Sequence, residues 1–299
     1  MTPPGVDNGM ITMKLLRYGN PASPTLGVLL GDRIVSLAPL ADRYPTMLSI
    51  IAGDETALTS VRDFASQAAA TLPLAEVALL APIERPGKFM AIGMNYRKHI
   101  AEAARLGVET PKHQFWFNKQ TSCISGPFDD IDPGVTEELD YEVELCAVIG
   151  QPAKGVRAAD APRHVIGYTI VNDVSARDWQ MHTPTFTMGK SFDTHGPIGP
   201  WIVTADEIGN PHDLGLRCLV NGELRQESNT GGMVANLWQQ IEYLSTAFTL
   251  DPGDLIATGT PEGVAAGMNP PVWLKPGDVV RCEIDRIGAI ENRVAVPVA

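Results

Sequence analysis

The sequence of 299 residues is notable first for what it lacks. It has no G-x-G-x-x-G and no G-x-x-x-x-G-K-[ST], so neither the dinucleotide-binding nor the P-loop phosphate pattern is present. Cysteine is scarce: Cys123, Cys146, Cys218 and Cys282 lie far apart and form no C-x-x-C pair. That spacing excludes a zinc-finger-type cluster or a dithiol redox motif and leaves buried free thiols as the reading. A reducing cytoplasm is the compartment those thiols suggest. Positive charge is also short, with 23 Lys and Arg against 35 Asp and Glu, net charge −12, and no run of Lys or Arg. A nucleic-acid or anionic-membrane binder needs a basic face, so neither partner is expected. No apolar stretch is long enough to cross a bilayer. The opening MTPPGVDNGMITMKLL lacks the basic and apolar regions of a signal peptide and reads as a loose tail over 1–12.

The chain carries many strand signals and few helix signals. MKLLRYG and TLGVLLGDRIVSL suggest short strands, with Gly31-Asp32 as a hairpin turn. Residues 55–70 are rich in helix formers. Three prolines in 72–87 suggest a connection, so 13–80 reads as a small N-terminal unit. Beyond Pro86, KFMAIG, HQFWFNK, YEVELCAVIG and HVIGYTIVND read as strands, while 96–107 and 232–248 read as helices. Asn221-Gly222 lies between two strand-like runs, a strong two-residue hairpin signal. Pro-Gly-Asp precedes a strand in both LDPGDLIATG and LKPGDVVRCEI. The pattern predicts a β-rich α+β fold of sandwich or roll type.

The chemistry concentrates in a few stretches. In ELDYEVEL, Glu138, Asp140, Glu142 and Glu144 occupy every second position. On one continuous strand they would share a face, neighbours roughly 6–7 Å apart. The run continues into LCAVIG, apolar on both faces, so acids there enter the core and need a cation. Lys, Arg or a metal would serve, and oxygen-only ligands suit Mg²⁺, Mn²⁺ or Ca²⁺. Asp173, at the end of an apolar run, is a candidate third ligand, although such a residue is often a cap or turn. Arg177, Asp178 and Gln180 follow it as polar groups able to face a ligand. His99 and Glu102 stand three apart on the helix of 96–107. A carboxylate on one imidazole nitrogen fixes the tautomer and strengthens the other as a base, although a surface pair has the same spacing. Lys119 and Lys190 are uninformative alone; Lys190 lies in a Gly/Pro-rich loop, where a lysine usually faces solvent. GTPEG offers backbone N–H groups to an anion. Trp116, Trp179 and the remaining histidines read as structural.

Taken in order, GMNYRKHIAE, FWFNK, LDYEVEL, GYTIVNDVSARDWQ, GKSFDTHGPIGP, NGELRQ and LIATGTPEGV resemble the fumarylacetoacetate hydrolase superfamily over residues 86–297. The resemblance is nearest to the acylpyruvate and diketo-acid hydrolase branch, with its isomerase and decarboxylase relatives. It implies a mixed β-sandwich roll with a small N-terminal α/β subdomain, and a homodimer. It further implies a divalent ion, Mg²⁺ or Mn²⁺ ahead of Ca²⁺, on Glu142, Glu144 and Asp173. Asp140 matches the neighbouring acid of the motif. His99 and Glu102 match the base dyad. Lys119 and Lys190 match positions that add positive charge beside the substrate, and Arg177, Gln180, Gly259 and Thr260 match substrate-facing positions.

The reaction expected from that branch is metal-dependent hydrolysis of a C–C bond in a 2,4-dioxo acid, releasing pyruvate or a related 2-oxo acid. His99, oriented by Glu102, would activate the water. Metal-stabilised enolisation also serves tautomerisation, double-bond isomerisation or decarboxylation of a 2-oxo dicarboxylic acid, the alternative reading. A non-catalytic diketo-acid or metal binder is the third.

Overall fold

The computed structural model describes residues 13–105 and 107–296; the loose tail expected over 1–12 lies outside the described residues. The chain opens with three antiparallel strands, β1 (Lys14–Asn20), β2 (Ser23–Leu30) and β3 (Arg33–Ser36), the last two joined through Gly31-Asp32. Two helices follow, α1 (Met47–Ala52) and α2 (Asp54–Gln67). Thr46 and Ser49 cap α1 reciprocally, satisfying backbone N–H groups that the first turn leaves open. Short strands β4 (Leu72–Pro73) and β5 (Leu79–Leu80) break up the proline-rich connection.

Next come β6 (Phe89–Gly93), helix α3 (Arg97–Arg105), β7 (Phe115–Asn118), β8 (Ile124–Ser125) and β9 (Leu139–Asp140). The central strands are β10 (Val143–Ile149) and β11 (Val165–Asn172), followed by β12 (Ser175–Ala176), the single turn α4 (Arg177–Gln180) and β13 (Gly196–Thr204). A twelve-stranded sheet runs β4-β3-β2-β1-β13-β11-β10-β16-β6-β7, where β16 is Leu255–Ala257; β5 joins β1 and β8 joins β13 at its sides. The strands of residues 14–36 therefore continue the same sheet that carries the acidic stretch, through the pairing of β1 with β13.

After the short α5 (Ala205–Ile208), a second sheet of four antiparallel strands forms from β14 (Gly215–Val220), β15 (Glu223–Asn229), β17 (Val279–Ile284) and β18 (Gly288–Arg293), in the order β15-β14-β17-β18. Asn221 and Gly222 both take positive φ, 51° and 80°, the turn type that suits the twist of a two-residue hairpin. Helix α6 (Leu237–Ala247) starts at a reciprocal cap between Asn236 and Gln239.

Every residue of β10 and β11 is buried, because each face of the central sheet has its own cover. Leu145, Ala147 and Ile170 pack towards Leu216, Cys218 and Val280 of the second sheet. Cys146, Val148 and Val171 pack towards Ile50, Ile51 and Val61 of the N-terminal helices. Two layers on either side of one strand explain why LCAVIG reads apolar without alternation. All four cysteines are free and buried.

ELDYEVEL is not the single strand expected. It divides into β9 and β10, with Tyr141 and Glu142 between them. The break has a local cause. The Glu142 N–H donates to the Asn172 side-chain oxygen at 2.9 Å, and the Val143 N–H to that of Gln226 at 3.0 Å. Side chains thus take the place of strand partners where β10 begins, and β9 turns away to pair with β12. Glu138 precedes β9 and is half-buried.

Candidate active site

The broken strand delivers three acids to one place. Asp173 follows β11, and its N–H donates to the Glu142 carbonyl at 2.8 Å, which brings the end of β11 against the start of β10. Carboxylate oxygens of Glu142, Glu144 and Asp173 lie within 4.8 Å of one another, and all three residues are buried.

Cations meet most of this charge. Lys190 Nζ donates to Glu142 at 2.7 Å and to Asp173 at 2.8 Å. Lys119 Nζ donates to Asp173 at 2.6 Å and to the Lys190 carbonyl. The Arg177 guanidinium reaches Glu142 at 2.5 Å, Asp140 at 2.8 Å and the Gln180 side-chain oxygen at 2.9 Å. Asp140 also accepts the N–H groups of Ala265 and Ala266, so it anchors both Arg177 and the loop after β16. Burial opposes ionisation of Glu142, but Lys190 and Arg177 outweigh it and hold the carboxyl at about 2. Glu144 is treated in the opposite way. Burial, then the charges of Asp173 and Glu142, push its carboxyl well above the ordinary range. Among the described residues its one hydrogen-bond donor is the Gly259 N–H, at 2.7 Å. Four carboxylates face three cations, an excess of one acid, and among the described residues Glu144 is the acid with no cation bonded to it. That excess, on an all-oxygen donor set, fits a hard divalent cation.

A second group approaches from α3. His99 Nδ1 lies 2.9 Å from Glu102, and each side chain is 16% exposed. The carboxylate only accepts, so Nδ1 carries the hydrogen and Nε2 is left as the base. The other Glu102 oxygen accepts the Gly263 N–H at 3.0 Å. Gly267 closes on the same carboxylate: a Cβ there would stand 2.4 Å from Glu102 Cδ. Ahead of α3, Asn95 donates to the carbonyls of Ala235 and Thr258 and accepts the Ala235 N–H, which ties the start of the helix to the body.

Both groups open into one pocket of about 420 Å³, lined by His99, Glu102, Glu142, Glu144, Arg177 and Lys190. Gln180 and Thr260 also line it. The structure assigns several expected residues to other contacts. Lys119 is absent from the lining and sits beneath it as the partner of Asp173. The Gly259 N–H is engaged by Glu144 rather than open to a substrate anion. The Thr260 hydroxyl donates to the Val143 carbonyl and accepts from Gln226, so it is also engaged. Lys190, which the resemblance places beside the substrate, does line the pocket and is 2% exposed, unlike most lysines in such loops. Sequence reasoning missed the aromatic wall. Phe115 and Phe117, two apart on β7, both line the pocket and meet Phe186, with ring centroids at 5.1 and 6.0 Å. Their alternation in FWFNK carried the signal. Trp116, on the other face, packs on the core.

Three clustered acids and a His–Glu pair beside one pocket, on this sheet-rich fold, mark an enzyme of the fumarylacetoacetate hydrolase type. The family model for the C-terminal domain of fumarylacetoacetate hydrolase matches residues 88–295, and the chain belongs to this family. The chain is 43% identical over 290 residues to the Bos taurus protein named oxaloacetate tautomerase FAHD2B, mitochondrial, covering 94% of this chain and 91% of that one. The fumarylacetoacetate hydrolase structure from psychrophilic Exiguobacterium antarcticum superposes with a TM-score of 0.84 at 37% identity, covering 96% of this chain and 100% of that one. The maleylpyruvate hydrolase from Sphingobium sp. SYK-6, solved with manganese(II) and pyruvate, gives 0.80 at 32% identity, covering 95% and 99%.

These relatives correct two expectations. Relatives named as oxaloacetate tautomerases, at 41–44% identity over most of the chain, overturn C–C hydrolysis of an acylpyruvate as the main reading. Hydrolysis and tautomerisation both pass through an enolate, so residues suited to stabilising one do not report whether water attacks. The cytoplasmic expectation falls with the same names, which place those proteins in mitochondria. Buried free thiols say only that no disulfide forms, and that does not single out the cytoplasm.

Proposed function

We propose that this chain is a divalent-metal-dependent tautomerase of 2-oxo acids of the oxaloacetate type. One observation carries the reading: a positioned His–Glu base lines the same pocket as Glu142 and Glu144, two acids of the clustered triad. The names of the tautomerase relatives support it. Glu142, Glu144 and Asp173 would hold a Mg²⁺ or Mn²⁺ ion, which when bound supplies Lewis-acid stabilisation of charge on the 2-oxo oxygen.

Tautomerisation needs a proton moved and nothing added. The enol O–H loses its proton, that electron pair closes C2=O, and the C2=C3 π pair takes a proton at C3. His99 Nε2 handles the proton at C3, while Glu102 keeps the ring oriented and steadies its charged form. Arg177 and Lys190 hold Glu142 ionised and in place, and Lys119 holds Asp173 in place. The apolar wall restricts water around the base.

The test follows the absorbance of freshly dissolved enol oxaloacetate. With Mg²⁺ or Mn²⁺ the wild type accelerates ketonisation, and chelation removes the acceleration. His99→Ala loses about 10²–10⁴-fold in kcat. An unchanged rate in His99→Ala would refute the assignment of the base. The homodimer implied by the family resemblance is carried forward as part of this proposal, and light scattering of the purified chain checks it.

A further inference from the structure

The pocket is larger and more apolar than a small diacid requires. Its volume, about 420 Å³, lies within the range of roughly 300–1,000 Å³ typical of sites for much bulkier ligands. Away from the carboxylates its walls are Ile92, Met94, Val108, Phe115, Phe186 and Val264. The aromatic part begins beside the charged centre: Lys190 Nζ lies 5.1 Å from the centre of the Phe117 ring, and Phe186 joins Phe117 to Phe115.

Charge points the same way. Among the described residues lining the pocket, Arg177 and Lys190 are the only side chains with a permanent positive charge, and both are engaged by Asp140, Glu142 and Asp173. With a divalent ion on the triad, four carboxylates would face five positive charges, a balance that one substrate carboxylate closes. A second carboxylate would lie along the apolar wall, or near Glu102 and Glu109, with no cation to meet it.

We propose that the pocket takes 2-oxo acids carrying an aromatic group on C3 in place of a second carboxylate, and that enol arylpyruvates are ketonised at least as efficiently as enol oxaloacetate. This rests on the tautomerase reading. The aryl ring would lie among Phe115, Phe117 and Phe186, where edge-to-face contacts add to burial. The step balances as before: the enol O–H proton leaves, its electron pair closes C2=O, and the π pair takes a proton at C3, with no co-reactant.

The experiment measures kcat/KM for enol phenylpyruvate and enol oxaloacetate on the same metal-loaded enzyme, with uncatalysed ketonisation subtracted. A phenylpyruvate-to-oxaloacetate ratio of one or more is expected, and a ratio below one overturns the proposal. Turnover of neither enol sinks the tautomerase reading and this proposal with it, whereas turnover of oxaloacetate alone sinks only this proposal. Phe186→Arg, on a half-buried loop residue, supplies a cation where the ring stood. The ratio should fall at least tenfold in this variant, and an unchanged ratio in a folded variant would place the aryl group elsewhere and overturn the assignment.

Discussion

The side chain of Lys119 has no exposed surface, and its ammonium meets Asp173, itself fully buried. Removing Lys119 leaves one oxygen of that buried carboxylate without its cation, and Lys190 alone to offset the charge. Lys119→Met should cost about 3–5 kcal/mol in urea unfolding. Lys98→Met should show no measurable loss, because Lys98 is 78% exposed where it meets Glu262. The acids separate by the same logic. Glu142→Ala and Glu144→Ala should abolish Mn²⁺ binding in calorimetry along with turnover, while Glu138→Ala, outside the cluster, should change neither. Glu142 and Glu144 were legible in the sequence because carboxylates spaced by two ran into an apolar strand. Lys190 was legible only through the family resemblance, not from its own loop. Whether a loop lysine is buried depends on which acids the sheet places around it, here beside the start of β10 and the end of β11.

Helix α3 and the loop after β16 form one device, in which Glu102 is held from both sides. The Gly263 N–H fixes one oxygen, and Gly267 leaves room for the carboxylate. Gly267→Ala should displace Glu102 and lower kcat by tenfold or more, with little change in urea stability, since Gly267 is half-buried at the pocket edge. A double-mutant cycle separates this from general damage. Added to Glu102→Ala, Gly267→Ala should cost almost nothing further, because the clash partner is gone; additive losses would show that Gly267 acts elsewhere. The helix itself was legible, read over 96–107 and found over Arg97–Arg105. The broken strand was not. Alternation in ELDYEVEL called for one continuous strand, and only Asn172 and Gln226, which take the backbone hydrogens of Glu142 and Val143, reveal the break. Those contacts join residues 30 and 83 positions apart, beyond any local pattern.

The same limit applies across the whole molecule. Turns such as Asn221-Gly222 depend on neighbouring residues and could be read directly, whereas the pairing of β1 with β13, or of β16 with β6, depends on folding distant segments together. One buried group far from any local signal sets a dependence of global stability on pH. His195 is fully buried against Phe192, and its Nε2 meets the Asp132 carbonyl at 3.0 Å. The carbonyl only accepts, so Nε2 carries the hydrogen, and Nδ1 has no partner among the described residues. Burial, reinforced by the positive charge of Lys119, lowers the imidazole from its ordinary 6.5 to about 4. Above pH 6.5 the ring is neutral in both native and unfolded chains, and its contribution is constant. Below 6.5 the unfolded chain binds a proton that the native ring refuses, so stability falls with pH until about 4, by roughly 3 kcal/mol in total. Glu144 slopes the other way: its carboxyl is raised in the native state, so the penalty it carries at neutral pH is relieved as pH falls. The difference between wild type and His195→Gln cancels that opposing slope, because Gln keeps a donor for Asp132 and cannot titrate. Urea midpoints at pH 7 and pH 5 should therefore converge in His195→Gln relative to wild type. If both proteins lose the same stability between those values, His195 is not the group that titrates.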